Sequence, residues 1–198
     1  MSRKDFIYCE KGVLSKDSCK KIIDFFDGNN SMASPGEYTG KVGNIDNLEM
    51  PIDISNPDDN YGIGRCVQKG MFNYKKRYPL INTRLGPWDC YHNCQLMKYE
   101  PDKYYDKIHC ENDCYNRPSV ERVFGWMIYL NDIRRGGGTE FIHQRFTAKP
   151  RAGDLYIWPA GWTHMHRGVN APKEVKYIIT GWCSFNPKVS ERPLYHPL

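Results

Sequence analysis

Residues 154–185, DLYIWPAGWTHMHRGVNAPKEVKYIITGWCSF, decide the architecture of this chain. They hold three short strand candidates, 154–159, 163–169 and 175–185, rich in aromatic and β-branched residues. Upstream, residues 94–100, 104–110, 123–131 and 138–142 have the same character. Turn signals such as Gly136-Gly137-Gly138 and Arg151-Ala152-Gly153-Asp154 separate them. Two helical patterns come first. In residues 15–27, SKDSCKKIIDFFD, the stripe Cys19, Ile22, Ile23 and Phe26 follows Ser15 as N-cap and Asp17 in the first turn, and Gly28 can end the helix. Between Tyr61 and Tyr78, apolar residues Ile63, Val67, Met71, Tyr74 and Tyr78 recur at helical spacing until Pro79. Residues 28–60, rich in Gly, Asn, Asp, Ser and Pro, read as loops with short strands. Seven or more short strands behind two helices predict a mainly β fold with flanking helices, built on a jelly-roll (double-stranded β-helix, cupin-like) core.

A chain of 198 residues suits one domain. The pattern divides it into helices and loops that support the barrel (1–90), the core proper (91–186) and a proline-bearing tail (187–198). A net charge of +5 permits acidic partners, but no basic block tracks a phosphate backbone, so nucleic acid is not an expected partner. There is no run of about 18 apolar residues to span a membrane. The start, MSRKDFIYCEKG, has no apolar h-region, so a cytoplasmic chain with reduced thiols is expected from its eight cysteines. Cys90/Cys94 and Cys110/Cys114 are spaced more widely than the C-x-x-C pairs of zinc knuckles, which argues against structural zinc. Oligomeric state is not legible in the sequence.

Candidate ligands sit at His109-Cys110-Glu111 and at His166, with Lys176 ten residues further on. Alternate strand residues share a face, so His109 and Glu111 can converge on one metal ion. His166 would complete a two-histidine, one-carboxylate facial triad, the donor set that holds non-heme Fe(II) and leaves positions open. Lys176 offers a cation for an organic acid bound there. An H-x-[D/E] match alone is weak evidence, since roughly 0.7 arise by chance with six histidines and 23 acidic residues. The ordered set is stronger: H-x-E, the strand WMIYLND, a glycine turn, GDLYIWP, a His-rich strand, then a strand opening with Lys. His164 reads either as a group supporting the site or as a sealed core histidine, with the latter favoured. Trp126, Trp158, Trp162 and Trp182 read first as barrel packing. Tyr104 and Tyr105 lie beside the metal strand, where packing and substrate contact are equal alternatives.

QLMKYEP, HCE, MIYLNDIRRGGGTEF, KPRAGDLYIWP and HMHRGVNAPKEVKYIITGW, together spanning about 95–185, resemble the 2-oxoglutarate- and Fe(II)-dependent oxygenase superfamily in its prolyl 4-hydroxylase-like branch, most of all its short phage and bacterial members. The resemblance implies iron ligation by His109, Glu111 and His166. It implies that Lys176 binds the distal carboxylate of 2-oxoglutarate with help from the Tyr129 hydroxyl, and that Tyr99 lines the cofactor pocket. Thr180 and Trp182 are weaker pocket candidates. Most members carry Asp where this chain has Glu111, so the longer arm must fold back or the strand must shift. The implied cofactors are Fe(II), 2-oxoglutarate and O2, with ascorbate left open. The implied reaction is C–H hydroxylation of a peptide or protein, with a small-molecule or amino-acid substrate as the alternative. A non-catalytic cupin-like metal module is the rival from another class. A nucleic-acid demethylase is disfavoured, because no basic, aromatic-interleaved lid for a flipped base is present.

Overall fold

In the long strands of this chain, consecutive side chains alternate between two apolar layers, and that alternation builds the molecule. The computed structural model describes residues 5–36, 47–55, 61–113 and 118–185. In chain order the elements are β1 (Tyr8–Glu10), α1 (Lys16–Gly28), β2 (Ser34–Pro35), β3 (Leu48–Asp53), α2 (Ile63–Arg77), α3 (Leu80–Thr83), β4 (Trp88–Cys90), β5 (Asn93–Tyr99), β6 (Arg122–Tyr129), β7 (Thr139–Phe141), β8 (Phe146–Ala148), β9 (Leu155–Pro159), β10 (His166–Gly168) and β11 (Lys176–Phe185). Eight strands form an antiparallel sheet in the order β1-β9-β6-β11-β5-β3-β2, with β4 beside the far end of β11. The other three form a small sheet, β10-β7-β8. This is the mainly β, jelly-roll core that the strand pattern predicts.

The outer face of the large sheet carries Leu96, Phe124, Trp126, Ile128, Leu155, Ile157 and Ile179, packed with Cys19, Ile22 and Phe26 of α1 and Ile63, Val67, Met71 and Tyr74 of α2. The α1 stripe is buried as its spacing predicts, and the Ser15 hydroxyl accepts from the Ser18 amide at 3.0 Å. On this face Gly181 lies opposite Trp126, whose ring covers it. An added Cβ would stand 2.3 Å from Trp126 Cζ2, and that fully buried ring has nowhere to go. Gly181→Ala should therefore destabilise the fold by about 1–3 kcal/mol in urea melts, with the slope of the transition unchanged.

Several expectations are corrected. Residues 104–110 are not a strand: among them only His109 pairs, in an isolated antiparallel bridge to His166. The segment follows a turn in which Asp102 takes φ +69°, and Gly168 N–H meets Tyr105 O at 2.7 Å before the bridge. The 163–169 candidate splits into a 3-10 turn, Trp162–His164, and β10. The three-residue strands β1, β4 and β8 are too short for alternation to show in a sequence. Trp162 is 69% exposed and is not packing. The antiparallel register of β4 and β11 sets Cys90 opposite Cys183, and the two form a disulfide. Those two are not reduced thiols, and the Cys90/Cys94 pair is thereby unavailable to a metal. The tail 187–198 lies outside the described residues. Among the described residues no helix is long and apolar enough to cross a membrane.

Candidate metal and cofactor site

The inner layer lies between the two sheets. Tyr99, Met127, Tyr129, Tyr156, Trp158 and Ile178 of the large sheet meet Phe141 and Ala148 of the small one. Strand parity then points Lys176, Thr180 and Trp182 of β11 the same way as Ile178, and Gly125 of β6 the same way as Met127 and Tyr129.

At one end of this layer His109 and His166 exchange backbone hydrogen bonds of 3.0 and 2.9 Å, which brings their ring centroids to 4.3 Å. Each ring is turned by a carbonyl two residues earlier: Nδ1 of His109 is 2.9 Å from Lys107 O, and Nδ1 of His166 is 2.9 Å from His164 O. A proton held at Nδ1 by these carbonyls leaves each Nε2 lone pair free for a cation. Burial, with His166 alongside, pushes His109 down to about 4, so it is neutral near pH 7. Glu111 Oε1 lies 3.2 Å from His166 Nε2. Burial alone would raise the Glu111 carboxyl, but the hydrogen bond and charge of His166, with His109 and the Trp182 indole, outweigh it and hold the group well below the ordinary carboxylate range. The three residues offer ligand atoms all within 4.8 Å of one another, and no other such group of three occurs among the described residues. One carboxylate oxygen and two imidazoles form a donor set that suits a borderline divalent ion.

His109 and Glu111 converge, but not by strand alternation. Residue 111 lies in a bend, and Asn112 N–H pins it to Ala160 O at 2.9 Å. The longer glutamate arm does fold back: its Cγ crosses Gly125, and Oε2 accepts a short hydrogen bond from the Trp182 indole.

Further into the layer Lys176 is 4% exposed. Its Nζ stands 4.2 Å over the Tyr99 ring, directly opposite on β5. No carboxylate or hydrogen-bond acceptor faces this amine among the described residues, and burial pushes it down to about 8. Tyr129, diagonal to Lys176 across β6 and β11, bonds Thr139 Oγ1 at 3.0 Å. The Tyr99 hydroxyl turns to Met97 Sδ at 3.5 Å, so that residue presents its ring, not its hydroxyl, to Lys176. Thr180 spends its hydroxyl on Trp126 O. His164 is closed off, its ring between Asp5 O and Thr163 Oγ1. Tyr105 lies against the His109 ring, with centroids 4.5 Å apart.

Residues 94–184 match the family model of the 2OG-Fe(II) oxygenase superfamily. Over that segment the chain is similar to the 2OG-Fe(II) oxygenases. No curated protein sequence matches the chain. Three solved structures share this chain's fold over nearly its whole length. The viral collagen prolyl hydroxylase of Paramecium bursaria Chlorella virus-1, solved with 2OG, has TM-score 0.68 and 17% identity, covering 91% of this chain and 97% of its own. A Pseudomonas putida prolyl-4-hydroxylase has TM-score 0.67 and 16% identity over 93% and 97%. The Trichoplax adhaerens prolyl hydroxylase, in complex with a hypoxia inducible factor oxygen degradation domain peptide fragment, has 0.67 and 17% over 94% and 88%. Sequence reasoning missed Thr139 and Gly125. Thr139 ends the glycine run and shares the inward face with Tyr129, but its contact crosses to the other sheet, where no local period reaches.

Proposed function

We propose that this chain is an oxygenase that hydroxylates a C–H bond of a peptidyl substrate, with His109, Glu111 and His166 holding Fe(II) and Lys176 holding the distal carboxylate of 2-oxoglutarate. The buried, uncompensated amine of Lys176 carries this reading, because a buried cation is costly until an anion joins it. A metal-binding module without a keto acid has no use for that amine. Bound iron and 2-oxoglutarate would supply the oxidation of an unactivated C–H bond, with succinate and carbon dioxide as co-products. The chain's own residues do the rest. The Lys107 and His164 carbonyls orient the imidazoles, and Tyr129, backed by Thr139, offers a directional hydroxyl beside Lys176. Residues 91–186 would be the catalytic core and 1–90 its support. Peptidyl substrate choice rests on the likeness in fold to prolyl hydroxylases. O2 is the co-substrate, and ascorbate would serve only as an auxiliary reductant.

The test is an anaerobic titration with Fe(II) and 2-oxoglutarate, followed by oxygen and a panel of proline-containing peptides and free amino acids, with and without ascorbate. Succinate release and a peptide mass increased by one oxygen are expected. Oxygen incorporation into a free amino acid and into no peptide would move the substrate class to small molecules. No succinate under any condition would remove the activity.

A further inference from the structure

Glu111, the carboxylate of the proposed metal site, is held by a floor and a tether. The floor is Gly125, whose register partners are Trp182 on β11 and Trp158 on β9. A Cβ at this glycine would stand 3.0 Å from Glu111 Cγ and 2.9 Å from Trp158 Cε2, so the arm occupies space that only glycine leaves. The tether is Trp182. Its indole N–H donates to Glu111 Oε2, while Oε1 faces His166 Nε2 at 3.2 Å. The indole is itself fixed. The Arg122 guanidinium stacks on it at 3.9 Å, and the Trp182 carbonyl accepts from Tyr91 N–H at 2.8 Å. Arg122 also reaches Glu111 O at 3.3 Å, so both ends of the residue are held.

We propose that Gly125 and Trp182 are positioning residues that make Glu111 a one-oxygen ligand. The inference rests on the metal site proposed above. A carboxylate free to turn can take two positions on a metal, and the long glutamate arm makes that turn easy. With Oε2 committed to the indole, Oε1 alone is offered on the imidazole side. The positions a chelating keto acid and a third small ligand need are then kept open.

Co(II) can serve as a spectroscopic stand-in for Fe(II), read in Trp182→Phe, Gly125→Ala, Glu111→Ala and the pairwise combinations. Trp182→Phe should alter the visible Co(II) spectrum and weaken 2-oxoglutarate binding to the metal-loaded protein about tenfold or more. Gly125→Ala should weaken Co(II) binding about 10–100-fold. Both act through Glu111, so in the Glu111→Ala background neither should change the spectrum or the affinity further. An effect that persists in that background, or a silent Trp182→Phe, overturns the proposal. If Gly125→Ala fails to fold, Trp182→Phe and its Glu111→Ala combination decide alone. His109→Ala separates the two levels. Metal loss there with a silent Trp182→Phe defeats only the tether, whereas unchanged metal affinity defeats the metal site itself.

Discussion

His166→Ala should lose tight Fe(II) binding and all succinate formation, while His164→Ala keeps part of its activity. The two histidines are neighbours in sequence but not in role. His166 presents Nε2 beside Glu111 Oε1 and is bridged to His109. The His164 ring is spent on Asp5 O and Thr163 Oγ1. What His164 gives the site is its backbone carbonyl, which turns His166 at 2.9 Å and survives replacement by alanine. Removing a ligand should take turnover below detection, whereas removing a supporting group costs about 10–100-fold at most. Anaerobic Fe(II) titration and a succinate assay on both variants measure this. The reverse ranking would transfer the ligand to His164 and discard the bridge as the organising contact.

Lys176→Ala should raise the dissociation constant for 2-oxoglutarate by roughly 30- to 5,000-fold, the equivalent of about 2–5 kcal/mol for an anion left without its buried partner. Iron affinity should hardly change. The pH dependence tests the same group. Burial lowers the folded-state value from 10.5 to about 8, so the cofactor-free protein carries a neutral amine above that pH. Binding of 2-oxoglutarate should weaken as pH rises through about 8, and the alanine variant should show no such dependence. Stability follows with a definite sign. Between about 8 and 10.5 the unfolded chain binds the lysine proton and the native state does not, so the cofactor-free protein gains stability as pH rises through that window. Urea midpoints for wild type and Lys176→Met at several pH values would show the gain only in the former. Equal curves, or unchanged cofactor affinity in Lys176→Ala, would remove the lysine from this role.

Much of the fold was open to reading in the chain. The α1 stripe, the α2 spacing and the long strands near 94–100, 123–131 and 175–185 stand where their periods place them, because a period is a property of neighbours along the chain. Strand parity also gathers Lys176, Thr180 and Trp182 on one face, since residues two apart in a strand point the same way. Sequence by itself therefore determined the β-rich, helix-flanked architecture and the chemical types that can meet inside it.

Only the tertiary structure decided how they meet. His109 is placed by one bridge to His166 and Glu111 by one bond from Asn112 to Ala160, in a segment with no ladder and so no period to read. The Cys90–Cys183 bond arises from strand register across a sequence separation of 93. The orientation of the Glu111 arm depends on a missing side chain at Gly125 and an indole at Trp182, each brought from another strand. Such contacts are set by packing across the sheets, and packing is satisfied by shape between residues distant in the chain, which local sequence pattern does not encode.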